Sequence, residues 1–231
     1  MTLATLPWLF EASNAQQHGD TASLREALYQ VGQATRNENY VDAFATRLEA
    51  LSRVQEPGLR RTAETLLPME LSTAQLSQSI PSFSPITKYC LAGTMADTNR
   101  HELCTKVTEV LWSKGTNMID KAMAVRLAKR IPPPAEVWSD RQLSLDARLQ
   151  AMGDLHDQDV ARMEASARHS ACAVAEIWGA RWRQRVQLGE RGQAELALKD
   201  LSPDAVSALA QRWRNARAAA DARASEAMGA Q

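Results

Sequence analysis

The chain has 231 residues, 45% of them hydrophobic and 5% aromatic, with 27 Lys or Arg set against 27 Asp or Glu. That length suffices for one large domain or two small ones with a full apolar core, and the balanced charge supplies no overall field toward nucleic acid or an anionic membrane. The opening MTLATLPWLFEASNAQQHGD lacks the charged n-region and sustained apolar run of a secretory signal, and no stretch reaches the apolar length of a membrane span. As it stands the sequence reads as cytoplasmic, and as periplasmic if an export signal has been removed.

Apolar residues recur at helical spacing almost throughout, without runs of alternating β-branched residues, so the expected class is all-α. Leu24, Ala27, Leu28 and Val31 form the first stripe; Tyr40, Val41, Phe44, Leu48 and Leu51 form the second. Leu103, Val107, Val110 and Leu111 follow, then Ile119, Ala122, Met123, Leu127 and Ile131. Capping-box spacing occurs at Ser72 with Gln75, Asn99 with Glu102 and Ser139 with Gln142. Ser84-Pro85 and Ser202-Pro203 place an N-cap before a proline at the first helical position, and Gly19, Gly115 and Gly189 are C-terminal stops. About nine or ten helices result.

Pro132, Pro133 and Pro134 cannot continue a helix and form the strongest boundary. The expected organisation is a helical-hairpin domain over 1–131, a proline linker at 132–134, a long-helix domain over 135–215 and a frayed or disordered tail over 216–231. Within the long-helix domain, one helical stretch is expected from about Ser139 to Leu188 with a break at Gly153, and the next from Ser202.

From Pro7 to Ala34, Trp8 lies early in the first helix, Gly19-Asp20 at the turn, and Ala27 and Ala34 in the second. This arrangement resembles a tetratricopeptide-like or Sel1-like unit. The resemblance implies a solenoid-like packing of helical hairpins and a bias toward protein binding. The order of a cysteine, a polar turn, an Arg-containing helix with a second cysteine and a helix ending in LAKRI also resembles uncharacterised all-helical bacterial proteins, many of them exported.

With a hairpin turn centred on Asp97, Cys90 and Cys104 are equidistant from it and stand at one height, roughly 10 Å away. Helix axes about 8–10 Å apart leave roughly 4–5 Å between facing Cα atoms, within disulfide range, and Gly93 lies on the Cys90 side. The pair reads as a disulfide, as two core thiols, or as metal or redox ligands. Cys172, in alanine-rich surroundings, is expected in the core.

Other motifs carry less. His101-Glu102 opens like the zinc-protease HExxH, but residue 105 is Thr, so the second ligand is missing. His169 with Cys172 is two residues of a zinc site that needs four, and His156, Asp157 and Asp159 read as a solvated helix start or turn before a cation site. There is no GxSxG elbow, Walker A loop, dinucleotide glycine pattern or CxxC. No catalytic residue, metal ligand or cofactor is assigned.

The most distinctive surface candidates are Trp178, Arg181, Trp182, Arg183 and Arg185, with Arg212, Trp213 and Arg214. Arginine interleaved with tryptophan grips phosphates and stacks on bases, or anchors a protein interface. The expectation for Trp178 and Trp182 is that, four apart on one face, they pack inward while the arginines snorkel or pair with Glu176, Glu190 and Asp204. The near-neutral C-terminal half argues against nucleic acid as the main ligand. The expected function is a non-catalytic protein-protein interaction module: a scaffold, adaptor or immunity-type binder of an unidentified protein partner. An all-α enzyme with scattered active-site residues and a nucleic-acid binder are the alternatives, and the long Ala-rich helices permit self-association.

Overall fold

The structure, a computed structural model, describes residues 4–37, 82–91, 97–131, 135–168 and 170–229. Its described residues form eight helices: α1 (Thr5–Gln17), α2 (Thr21–Gly32), α3 (Ser84–Leu91), α4 (Thr98–Lys114), α5 (Met118–Ala128), α6 (Ala135–Ala167), α7 (Ala171–Leu198) and α8 (Pro203–Gly229). The stripe from Tyr40 to Leu51, the Ser72/Gln75 box, Gly93 and the three prolines lie outside the described residues.

A tight turn joins α1 and α2. Gly19 takes a left-handed φ of +70°, which only glycine adopts without a Cβ penalty. Asp20 then accepts the Ala22 and Ser23 N–H groups at 3.1 and 3.0 Å, satisfying donors that the first turn of α2 leaves free. Leu9, Ala12 and Ala15 of α1 are buried together with Leu24, Ala27, Leu28 and Val31 of α2. Removing each large side chain such as Leu28 from water contributes about 1.5–3 kcal/mol. The second helix also packs on α4, where a Cβ on Gly32 would stand 3.2 Å from the Lys106 Cβ.

In α4, Leu103, Val107, Val110 and Leu111 are all buried, as their spacing predicts. Its cap differs from the expected Asn99/Glu102 box: Asp97 accepts the Asn99 and Arg100 N–H groups, and Glu102 pairs with Lys106 at 2.7 Å. The buried face of α5 is also rotated from its expected stripe. Ile119 and Ala122 are exposed, while Met118, Ala124 and Val125 join Leu127 and Ile131 inside. Helix α5 packs on α6 and α3 as well as α4, and Glu190 of α7 accepts its Met118 N–H, so more than one packing direction acts on one short helix.

One continuous core links both halves: Trp138 and Leu145 of α6 and Ala194 of α7 pack with Leu9, Leu28 and Leu127. The long helices depart from expectation at Gly153 and at Gly189. Gly153 lies inside unbroken α6, surrounded by open space, where an interior glycine costs only about 1 kcal/mol. One helix ends instead at Ala167 and the next starts at Ala171, with Ser170 capping α7 by accepting the Cys172 N–H at 3.1 Å. Gly189 does interrupt α7, with φ 64° and ψ 173°. Ser139 sits inside α6, and Gln142 donates to Asp146 at 2.7 Å rather than closing a cap. Ser202 caps α8 as expected, accepting from Ala205. That helix continues to Gly229 through the segment expected to fray, with residues 214–226 exposed.

Helices α7 and α8 both flank α6 but scarcely touch each other. The result is a layer one helix thick rather than a closed bundle. Among the described side chains of residues 152–226, only Gly179, Gln193, Ala194 and Ala210 are buried.

Candidate functional site

The distinctive arginines lie on this layer, and their partners come from α6. Arg181 of α7 pairs with Asp159 at 3.1 Å. On the other flank Arg214 of α8 pairs with Asp146 at 2.7 Å, and Arg212 pairs with Asp154. None of these pairs uses the expected Glu176, Glu190 or Asp204, because lateral helix packing brings carboxylates closer than sequence neighbours do. The pairs join α7 and α8 to α6 from its two sides. Arg183 and Trp213 are half-buried, and Trp178 is 37% exposed rather than packed in the core. The side chains of Trp182 and Arg185 lie outside what the structure describes.

Asp159, read as part of an acidic cluster at a helix start or turn, is well inside α6 and is taken up by Arg181 and Arg162. His156 and Asp157 are exposed on the same helix, and His169 lies outside the described residues. Cys172 is exposed on the first turn of α7, not buried, because that end of the layer extends beyond the core. No cluster of His, Cys, Asp or Glu able to hold a metal ion occurs among the described residues. No helix there is long and apolar enough to cross a membrane.

Cys90 and Cys104 are paired at disulfide distance, 2.05 Å between sulfurs and 5.7 Å between Cα atoms, tying α3 to α4 in the buried core. Arg100 braces the same pair of helices. Its guanidinium donates to the Tyr89 carbonyl, with Nε at 2.7 Å, and lies 5.0 Å from the Tyr89 ring centroid.

The densest polar chemistry is one that sequence reading missed, at the start of α5. Asn117 caps that helix by accepting the Asp120 N–H at 2.8 Å. Asn37 Nδ2 donates to Asp120 Oδ2 at 2.9 Å, and the Thr5 hydroxyl donates to Asn37 Oδ1. The Thr5 N–H reaches the Arg36 carbonyl at 3.2 Å, so the N-terminal hairpin is clipped to the α4–α5 turn. Gly115 makes room: a Cβ there would lie 2.4 Å from the Leu111 carbonyl oxygen and 2.6 Å from the Asp120 Cβ. Burial pushes the Asp120 carboxyl up to about 6, against the opposing pull of Lys121 and the Asn117 bonds.

Lys121 is also buried, with Nζ donating to the Trp112 carbonyl and lying 5.4 Å from the Trp112 ring centroid. Burial, reinforced by Arg191 and Arg148, lowers it to about 8. Beside it, Trp112 and Trp138 meet edge to face at 6.1 Å. Arg141 stacks 4.3 Å from the Trp138 centroid and bonds Glu109 at 2.8 Å, joining α6 to α4. Glu190, just past the Gly189 kink, accepts the Met118 N–H at 2.9 Å and caps α5 from outside. The only sequence trace of this centre is adjacent Asp120-Lys121 in a helix whose one other charged residue is Arg126, which is also the ordinary pattern of a helix surface.

A shallow cavity of about 290 Å³ lies between α1 and α2, lined by Pro7, Trp8, Glu11, Ser23, Glu26 and Ala27. Comparison of the chain with protein families, curated proteins and solved structures finds no match.

Proposed function

We propose that the protein is a non-catalytic interaction module whose binding face is the layer formed by α6, α7 and α8. The observation that carries this reading is the lack of burial in that layer: the long helix α7 holds Trp178, Leu188 and Leu196 at the surface, and the layer has almost no core of its own. Exposed aromatic and aliphatic side chains on a rigid helical face are the usual anchors of protein recognition. The Arg–Asp pairs across α6 hold that face in one geometry, which reduces the ordering cost of binding. In this reading the arginines shape the layer more than they form a free cationic rim.

The N-terminal part serves as the supporting body. The α1–α2 hairpin and its packing on α4 suit a short solenoid-like stack of the tetratricopeptide or Sel1 kind. The buried Asp120 and Lys121 support a structural role for the interior, since both are engaged by neighbours within the protein.

The test is site-specific photo-crosslinking in the native host. A photoreactive residue at Trp178, on the layer, should give a discrete protein adduct, whereas one at exposed Phe10 on α1 should not. Adducts from position 10 alone, or from neither position, would refute the assignment.

A further inference from the structure

Past the Gly189 kink, Arg191 and Glu195 of α7 come together with Arg148 of α6 and the buried Lys121 of α5. Among the described residues both arginines reach one carboxylate, Glu195. Its Oε1 lies 2.7 Å from the Arg191 Nε but 3.8 Å from an Arg148 terminal nitrogen, beyond hydrogen-bond length. The Arg148 side chain is only 19% exposed, and its Nε, shut off from water, has no acceptor among the described residues.

Lys121 adds a third cation. Its ammonium donates to the Trp112 carbonyl, a neutral acceptor. Beyond burial itself, Arg191 and Arg148 act against its charge, and Asp120 and Glu195 act for it. Three cations thus share two carboxylates, and one oxygen of Asp120 is taken by Asn37. A desolvated guanidinium N–H without an acceptor is costly, and surplus positive charge beside it raises the cost.

We propose that this cluster binds phosphate, with Arg148 and Arg191 gripping the oxygens of inorganic phosphate or a phosphate monoester and Lys121 supplying further positive charge. Two features select that chemistry. A carboxylate is already present in Glu195, and it leaves the Arg148 Nε unsatisfied. Two oxygens in one plane serve one guanidinium, whereas a tetrahedral group with three or more oxygens serves two that come from different helices. The other feature is exchange. Arg191 and Glu195 are 50% and 46% exposed, so the cluster opens to solvent along α7 and the Glu195 side chain can swing off Arg191 as the anion enters. A phosphate ester carries about −1.5 to −2 charge near neutral pH, more than the single charge of the carboxylate it displaces. The site stands or falls independently of what the α6–α8 layer binds.

The test uses the full oxidised chain and inorganic phosphate, titrated by calorimetry and followed by phosphorus-31 line width, with chloride at equal ionic strength as the control. The expected result is saturable binding of one phosphate per chain. Arg191→Gln, at a half-exposed position, should weaken it about tenfold with the circular dichroism spectrum unchanged. Glu195→Gln removes the competing carboxylate and should tighten binding severalfold. A purely structural Glu195 predicts no such gain. Should the Glu195 variant lose helicity, the Arg191→Gln titration still decides. Glycerol phosphate identifies the source: displacement of inorganic phosphate supports a site for phosphate esters, and no displacement supports a site for the free anion.

No saturable binding at millimolar phosphate overturns the proposal, as does binding that a folded Arg191→Gln leaves unchanged or a folded Glu195→Gln weakens. Binding abolished by chloride at the same ionic strength is adventitious and overturns it as well.

Discussion

Reducing the Cys90–Cys104 bond isolates one contribution to stability, because both sulfur atoms remain in the protein and only the covalent constraint is lost. The two residues are separated by 14 positions. Closing a loop of this length removes unfolded-state entropy equivalent to about 3 kcal/mol at 25 °C. Against a typical domain stability of about 5–15 kcal/mol, that is a large fraction. Both cysteines are buried in the main core beside other apolar residues, so the reduced thiols keep most of their packing. Guanidinium unfolding of oxidised and reduced protein, followed by circular dichroism in otherwise identical buffer, should separate the two stabilities by about 3 kcal/mol. Thiol alkylation should find Cys172 reactive before unfolding and the other two protected until reduced. A difference below about 1 kcal/mol would refute the entropic argument, since the remaining packing is common to both forms. Alkylation of all three cysteines after unfolding without reductant would show that the bond does not form in the host.

Two further substitutions test the buried polar centre. Burial raises the Asp120 carboxyl from 3.8 to about 6, so the folded state holds that proton more tightly than the unfolded chain. Its favourable contribution is therefore full below about pH 4 and is lost as pH rises through about 6, a change of about 3 kcal/mol. Asp120→Asn should remove that slope: the stability of the variant relative to the original chain should rise by about this amount between pH 4 and pH 7, and parallel curves would refute the assignment. Gly115→Ala should cost about 1–3 kcal/mol through overlap with the Leu111 carbonyl and Asp120, measured by thermal or denaturant unfolding. An unchanged stability would mean that the α4–α5 turn opens without cost.

Helix content was legible because it is set by interactions three and four residues apart. The stripes at Leu24–Val31 and Leu103–Leu111 lie inside, and Ser202 caps its helix. The spacing of Cys90 and Cys104 about Asp97 was equally local, since a short hairpin leaves few registers. The α5 stripe was less legible: Met118 and Val125 turn inward because that helix packs on more than one neighbour, which periodicity along one chain does not encode.

What the sequence determined by itself is the all-α class, some helix limits, such as the ends at Gly19 and Gly115 and the start at Ser202, and a spacing that lets two cysteines meet, all consequences of backbone hydrogen bonding, capping and short-range geometry. Only the tertiary structure decided which carboxylates the arginines meet, that Cys172 is exposed, and that Asp120 and Lys121 are buried. Two glycines show the physical reason. Gly153 and Gly189 are equally able to break a helix, yet α6 runs through the first while α7 kinks at the second, and the residues past that kink cap α5 and enter the core. A glycine permits both backbones at little cost, and the packing of the residues beyond it selects one.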